Sequence, residues 1–108
     1  MQLDLPPPIA AYLAAHGRRS DGIADLFTQD AVVKDEGHSY VGVAAISRWL
    51  TESSAKYDFT VQPIAGEAAH GTTIVTCRVT GNFPGSPVDL RYRFRIDGDK
   101  IASLEISP

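Results

Sequence analysis

One carboxylate stands out as a group that could do chemistry. Asp35 ends the short apolar segment Ala31–Asp35, which contains the β-branched pair Val32–Val33 and is predicted to form a strand. A carboxyl group at the mouth of an apolar strand is partly desolvated, which raises its pKa towards the range where it can act as a base near neutral pH. The sequence therefore makes Asp35 the best candidate for a catalytic acid or base. The simpler alternative is that Asp35 ends an edge strand and faces water or pairs with an arginine.

The elements that must position Asp35 follow from hydrophobic periodicity. Apolar residues at helical spacing predict three helices, which run from Ile9 to about Gly17, from a Ser20 or Asp21 cap to Asp30, and from Val43 to about Ser54. Alternation with period two predicts four later strands over 57–64, 72–80, 88–96 and 100–107, and residues 37–42 and 66–71 are predicted turns. This order predicts a single α+β domain over residues 1–108. Its three N-terminal helices would pack over the concave face of a cone-shaped, curved antiparallel sheet.

Composition and charge argue against several classes of protein. The net charge of −3 disfavours nucleic-acid binding, and no apolar run approaches the roughly 20 residues of a membrane span. The N-terminal segment lacks the features of a signal peptide, and the single cysteine, Cys77, cannot form an intrachain disulfide, so a cytoplasmic protein is expected. The histidines and Cys77 lack metal-ligand spacing and no phosphate-binding glycine loop occurs, so neither a metal nor a cofactor is expected.

A basic row lies on one face of the clearest predicted strand. Arg91, Arg93 and Arg95 alternate with apolar residues, and the acids Asp89 and Asp97 flank them on the same face. The row could bind an anion, but mixed charges of this kind are more typical of a solvated or dimer-facing sheet surface.

Several segments resemble a known superfamily. They are DGI at 21–23 with LF at 26–27, DA at 30–31, Asp35, YVGVAAISRW at 40–49 and FRIDG at 94–98. Together they resemble the nuclear transport factor 2-like superfamily, in particular its SnoaL-like and ketosteroid isomerase-like members. The resemblance covers nearly the whole chain, and it implies the cone-shaped fold and a homodimer formed through the outer face of the sheet. It does not fix an activity, because isomerases, cyclases, dehydratases, hydrolases and binding modules share this scaffold.

The same resemblance implies roles for three residues. Asp35 falls where the isomerases keep the carboxylate that moves a proton, and Tyr12 falls where they keep a tyrosine that donates to the substrate oxygen. Their second donor is a protonated aspartic acid, and Tyr92 takes its place here. A phenol also donates a hydrogen bond, but from a different distance, which argues against the family's steroid substrate.

A ligand pocket is expected around these three residues. The predicted ligand-binding residues are His16, Phe27, Val33, His38, Tyr40, Trp49, Phe59 and Phe94. The aromatic rings among them suit a flat apolar ligand, or they form the hydrophobic core; Tyr40 and Trp49 are expected at the pocket mouth. His38 is a second acid–base candidate or a surface residue, and His16 reaches the pocket or interacts with the helix dipole.

Three functions remain open. The first is an isomerase or cyclase that moves a proton in a small apolar carbonyl compound, with Asp35 as base and no cofactor. The second is a non-catalytic module that binds an apolar ligand or another chain. The third is a dehydratase or epoxide hydrolase-like enzyme, in which Asp35 and an arginine or His38 activate water.

Overall fold

The protein folds around one six-stranded sheet. A computed structural model describes residues 5–15, 23–56, 59–69 and 71–108. The elements are helix α1 (Pro7–Ala15), a 3-10 helix (Ile23–Leu26), strands β1 (Phe27–Asp35) and β2 (His38–Val41), helix α2 (Val43–Lys56), and strands β3 (Phe59–Ala69), β4 (Thr72–Gly81), β5 (Val88–Asp97) and β6 (Lys100–Ser107). The predicted α+β class is confirmed, and the sheet is curved.

The strand order shows that the sheet is mixed, where a fully antiparallel one was predicted. The order is β2-β1-β6-β5-β4-β3, and β1 and β6 run parallel. The other neighbours are antiparallel. A parallel pair needs a long connection, which the whole intervening chain provides here. Hydrophobic alternation within a strand carries no information about the direction of a distant neighbour, so the prediction missed this pair.

The second predicted helix ends earlier in the structure and is a 3-10 helix, Ile23–Leu26. The described residues therefore contain two α-helices and one 3-10 helix, where three helices were predicted. Strand β1 already begins at Phe27. Phe27 pairs with Ile101 of β6 and is buried, so cross-strand pairing and burial override the helical spacing of a short apolar run. The predicted caps Ser20 and Asp21, and the end of the first helix at Gly17, lie outside the described residues.

Strand β2 replaces the turn that was predicted over residues 37–42. Glu36 and Gly37 both have positive φ values, 53° and 78°, as a two-residue hairpin turn of type I′ requires. The turn is therefore complete at Gly37, and His38–Val41 returns antiparallel to β1.

Strand β3 extends past Gly66, where a turn had been predicted. Gly66 pairs with Val75 and Ala69 with Thr72, so the small residues continue the ladder almost to Gly71. Backbone hydrogen bonds to β4 do not depend on side-chain size, which explains why the sequence pattern was misleading. The register shifts between Pro63 and Ala65, a bulge on an edge strand where proline, which has no N–H, is tolerated.

The two helices pack on the inner side of the sheet. Helix α1 buries Ile9, Tyr12 and Leu13, and helix α2 buries Ile46, Trp49 and Leu50, each at the spacing of one helical face. These side chains meet the inward residues of the strands, which are Phe27, Ala31, Val33, Val75, Cys77, Val79, Tyr92, Phe94, Ile101, Leu104 and Ile106. No helix in the described ranges is long and apolar enough to cross a membrane.

Candidate functional site

Strand alternation places Asp35 on the inner side of the sheet. Ala31, Val33 and Asp35 are two residues apart in β1 and share one face; the first two are fully buried, whereas Asp35 is half-buried. Asp35 is thus the polar end of an apolar row.

The hairpin turn brings a histidine opposite this carboxyl group. Asp35 pairs directly with His38 across β1 and β2, and side chains of directly opposed residues have Cβ atoms about 5 Å apart. His38 is exposed. The nearby histidine lowers the pKa of Asp35, although less than other effects change it.

Helix α2 contributes a hydrogen-bond donor to Asp35. The Nε1–H group of Trp49 donates to Oδ2 of Asp35 at 3.2 Å. Gly42 directly precedes the helix, and its N–H donates to the carbonyl of Ala31 at 2.8 Å. Because that bond ties the start of α2 to β1, the indole is held at a fixed position above the strand that carries Asp35.

The pKa of Asp35 reflects opposing influences. Burial raises it and is the largest effect, the hydrogen bond from Trp49 lowers it, and the Glu36 carboxylate raises it. The net result is a pKa above the usual value, so Asp35 is a stronger base than an exposed aspartate.

A row across the sheet connects Asp35 with Tyr92. Asp35 pairs with Ile106 of β6, and Ile106 pairs with Tyr92 of β5. Since neighbouring strands lie 4.7–4.9 Å apart, the Cα atoms of Asp35 and Tyr92 are about 10 Å apart, with both side chains on the inner face. The fold therefore places the predicted base and one predicted donor on one side of the same sheet.

Tyr12 lies in a closely packed aromatic cluster. Its ring centroid is 5.6 Å from that of Phe94, 5.8 Å from that of Phe27 and 6.4 Å from that of Tyr92. Tyr12 is fully buried, and burial, followed by interactions with Tyr92 and Asp35, raises its pKa. Burial, Cys77 and Asp35 likewise raise the pKa of Tyr92. Both phenols therefore stay protonated and can donate hydrogen bonds.

An open pocket of about 550 Å³ lies at the end of β1 and β6, with Asp35 in its wall. Its lining residues are Lys34, Asp35, Glu36, Gly37, His38, Ser39, Leu90, Glu105, Ile106, Ser107 and Pro108. Leu90 and Ile106 contribute apolar surface to the pocket, and Lys34, Glu36 and Glu105 bring charges of both signs. A ligand in this pocket would reach Asp35 from the open end of the sheet.

The predicted ligand-binding residues fall into different places. Phe27, Val33 and Phe94 are buried in the core, and His38 lines the pocket. Tyr40 is half-buried against Trp49, with ring centroids 5.9 Å apart. His16 lies outside the described residues.

Phe59 is not brought to Asp35. Phe59 pairs with Gly81 of β4. The residue of β4 that lies opposite Tyr92 is Val75, six residues away from Gly81. That separation is about 20 Å along the strand. The sequence pattern gave no means of recognising this distance.

Sequence reasoning missed two features of the site. Trp49, which is predicted to line a ligand pocket, also donates a hydrogen bond to Asp35, and the sequence did not indicate that contact. Ile106 and Glu105 line the pocket only because β6 pairs in parallel with β1; an acid in the last strand was the available signal. Within the described ranges, no three His, Cys, Asp or Glu side chains group as metal ligands.

Comparisons with known proteins agree with the fold. The SnoaL-like domain matches residues 9–104 of the chain. No curated protein sequence matches the chain.

Solved structures similar to this chain include a proposed polyketide cyclase from Sinorhizobium meliloti, 37% identical over 96% of both chains with a TM-score of 0.91. A protein of ketosteroid isomerase-like fold from Catenulispora acidiphila, solved with trimethylamine, is 20% identical over 97% of this chain and 87% of its own, with a TM-score of 0.84. SalBIII, an epoxide hydrolase/cyclase-like enzyme of salinomycin pyran-ring formation, is 19% identical over 93% and 86%, with a TM-score of 0.78. The last two likenesses concern the fold.

Proposed function

The chain belongs to the SnoaL-like domain family, and we propose that it is a small enzyme that moves a proton next to a carbonyl group. Its substrate is a small apolar carbonyl compound, and the reaction is that of an isomerase or a cyclase. Asp35 is the base, and the step needs no cofactor. The 37% identity to a proposed polyketide cyclase supports this class of reaction.

The observation that carries the proposal is the environment of Asp35. The carboxyl group is half-buried and held by Trp49 at 3.2 Å, and it lies in the wall of a pocket. Its raised pKa strengthens it as a base, and a base whose pKa approaches the working pH is the most effective one.

Removal of a proton next to a carbonyl creates an enolate oxygen that needs donors. Tyr12 and Tyr92 are the candidates, because both phenols remain protonated and lie on the same inner side of the sheet as Asp35, buried behind the pocket that Asp35 lines rather than in its wall. A fixed donor to such an oxygen is worth about 10²- to 10³-fold in rate. Replacing either tyrosine with phenylalanine should lower the exchange rate by about that factor if its hydroxyl contacts the substrate.

The test is hydrogen–deuterium exchange on a panel of small enones, followed by proton NMR. Asp35→Asn should slow exchange by about 10²- to 10⁴-fold. Asp99→Asn is the matched control, since Asp99 is an exposed aspartate in the turn between β5 and β6. Equal rates in the wild type and Asp35→Asn would remove Asp35 from the mechanism.

A non-catalytic binding module is the second candidate. It is favoured by the packing of Tyr12 against Phe27, Tyr92 and Phe94, which fills that part of the interior with rings. In this case the protein would bind apolar carbonyl compounds, detected by calorimetry, and Asp35→Asn would change neither binding nor exchange.

Water activation is the third candidate, and it is favoured by the position of His38 directly opposite Asp35. A hydrolase of this kind would incorporate ¹⁸O from labelled water into a small epoxide. His38→Gln should then abolish incorporation. If the label enters equally with and without His38, the histidine takes no part.

We further propose that the protein forms a homodimer through the outer face of the sheet. Two ion pairs lie on that face. The guanidinium of Arg93 is 3.7 Å from the carboxylate of Glu105, and that of Arg78 is 3.0 Å from the carboxylate of Asp89. Light scattering at micromolar concentration should give twice the chain mass of 11.6 kDa. Arg93→Glu should weaken the dimer, and a monomeric mass in the wild type would contradict it.

A further inference from the structure

The bond between Trp49 and Asp35 joins two separate elements. Trp49 belongs to α2 and Asp35 ends β1, and Nε1 lies 3.2 Å from Oδ2. The indole is only 4% exposed. An indole N–H can donate but never accept, so this bond is strongest when Asp35 is a carboxylate.

The two oxygens of Asp35 therefore differ. Oδ2 accepts the indole N–H, whereas Oδ1 makes no hydrogen bond with any described residue. Asp35 also lines the open pocket. The unbonded oxygen is the one available to a molecule that enters there.

We propose that Trp49 is a positioning residue, which holds Oδ2 of Asp35 so that Oδ1 is the atom that takes the proton from the substrate. This inference rests on the proposed function, because it assigns the reacting oxygen of that same base. The electron pair of Oδ1 forms the new O–H bond, the electrons of the broken C–H bond form a carbon–carbon double bond, and the π electrons of the C=O group move to the carbonyl oxygen of the substrate.

The indole is itself held in place. Tyr40 packs on Trp49 with ring centroids 5.9 Å apart and an angle of 32° between the planes. Tyr40 pairs with Val33, two residues before Asp35 on the same strand. The hairpin that carries the carboxyl group thus also supports the ring that orients it, which limits rotation of both side chains.

Other titratable groups surround Asp35. Glu36 belongs to the turn and His38 to β2, and the buried phenols come from α1 and β5. Lys34 and Glu105 line the same pocket. These groups stay in place when the indole N–H alone is removed, so a change in the titration of Asp35 then reports the loss of that donor.

The chain allows the donor to be removed without changing the ring shape. Trp49 is the only tryptophan, so expression in a tryptophan auxotroph with benzothienylalanine replaces this residue alone by an analogue with sulfur in place of N–H. The side-chain carboxyl signals of ¹³C-labelled aspartate are then titrated by NMR. The midpoint of Asp35 should rise, because its carboxylate has lost a donor, whereas that of Asp89 should not move.

The activity readout is the pH profile of kcat/KM for enone exchange. Its acid limb should move up together with the midpoint of Asp35, so that a midpoint higher by one pH unit lowers kcat/KM on the acid limb about tenfold. An unmoved midpoint, or a moved midpoint with an unmoved limb, would overturn the role of Trp49. Absence of exchange in the wild type would refute the proposed function and this inference with it, while the carboxyl titration would still show whether the indole bonds Asp35.

A second measurement needs no unnatural residue. The emission of Trp49 in the wild type should titrate with the NMR midpoint of Asp35, and Asp35→Asn should abolish that transition. Trp49→Phe, which keeps a ring but removes the donor, should raise the Asp35 midpoint in the same direction as the analogue. An emission that is constant across the Asp35 midpoint would contradict the bond.

Discussion

Tyr12 and Asp35 both lie on the inner side of the sheet, yet their surroundings differ in access to solvent. Tyr12 is fully buried among three other rings. Asp35 is half-buried, bonded to one indole and open to a pocket. Burial raises the pKa of both groups. The Tyr12 hydroxyl therefore stays protonated and can donate a hydrogen bond, whereas the Asp35 carboxyl group can still gain and lose its proton. We infer that the ring cluster stabilises the fold and contains the two neutral phenols, whereas the half-buried end of β1 supplies the base.

The strongest test of this division is truncation within the ring cluster. Phe94→Ala should lower the free energy of unfolding by about 3–5 kcal/mol, because it removes a fully buried ring and leaves a cavity. Urea denaturation followed by circular dichroism measures the loss. Arg95→Ala, at the next and exposed position, should change stability by no more than about 0.5 kcal/mol. A loss below about 1 kcal/mol for Phe94→Ala would mean that the cluster collapses around the missing ring.

Whereas Phe94→Ala should destabilise the protein, Asp35→Asn should stabilise it relative to the wild type as the pH rises. A folded pKa above the unfolded value means that the stabilising contribution of Asp35 is present below about pH 3.9 and is lost as the pH rises through the folded pKa. The variant should therefore gain stability relative to the wild type as the pH rises through that window, by up to about 1 kcal/mol. Denaturation curves at several pH values measure this difference. A gain that is constant with pH would show that burial does not perturb this carboxyl group.

Asp89 provides a comparison in which the pKa of the carboxyl group shifts downwards, and the expected effect on stability is the smallest of the three. Its hydrogen bond and ion pair with Arg78 hold the pKa of Asp89 below its usual value. Its contribution is present above about pH 3.9 and is lost as the pH falls through the folded pKa. Asp89→Asn should therefore cost a little stability near neutral pH and nothing in strong acid. High salt should reduce the cost, because both partners are exposed.

Much of the secondary structure could be predicted from the spacing of apolar and polar residues within single elements. The alternation of Tyr92 and Phe94 with arginines predicted an inner and an outer face of β5, and burial of the two rings matches it. The turn from 36 to 37 shows where such patterns fail. Glu36 adopts a positive φ value, which is uncommon for a residue other than glycine, asparagine or aspartate, so the start of β2 was not recognisable.

The sequence by itself determined the fold class, the helix faces that become buried and the position of a carboxyl group at the end of an apolar strand, because these depend on residue types at fixed local spacing. Only the tertiary structure decided what that carboxyl group meets. The indole of Trp49 arrives from a helix, Ile106 from a parallel strand, and Tyr92 one strand further on. Contacts between residues distant in the chain depend on strand order and register, and no local pattern encodes either.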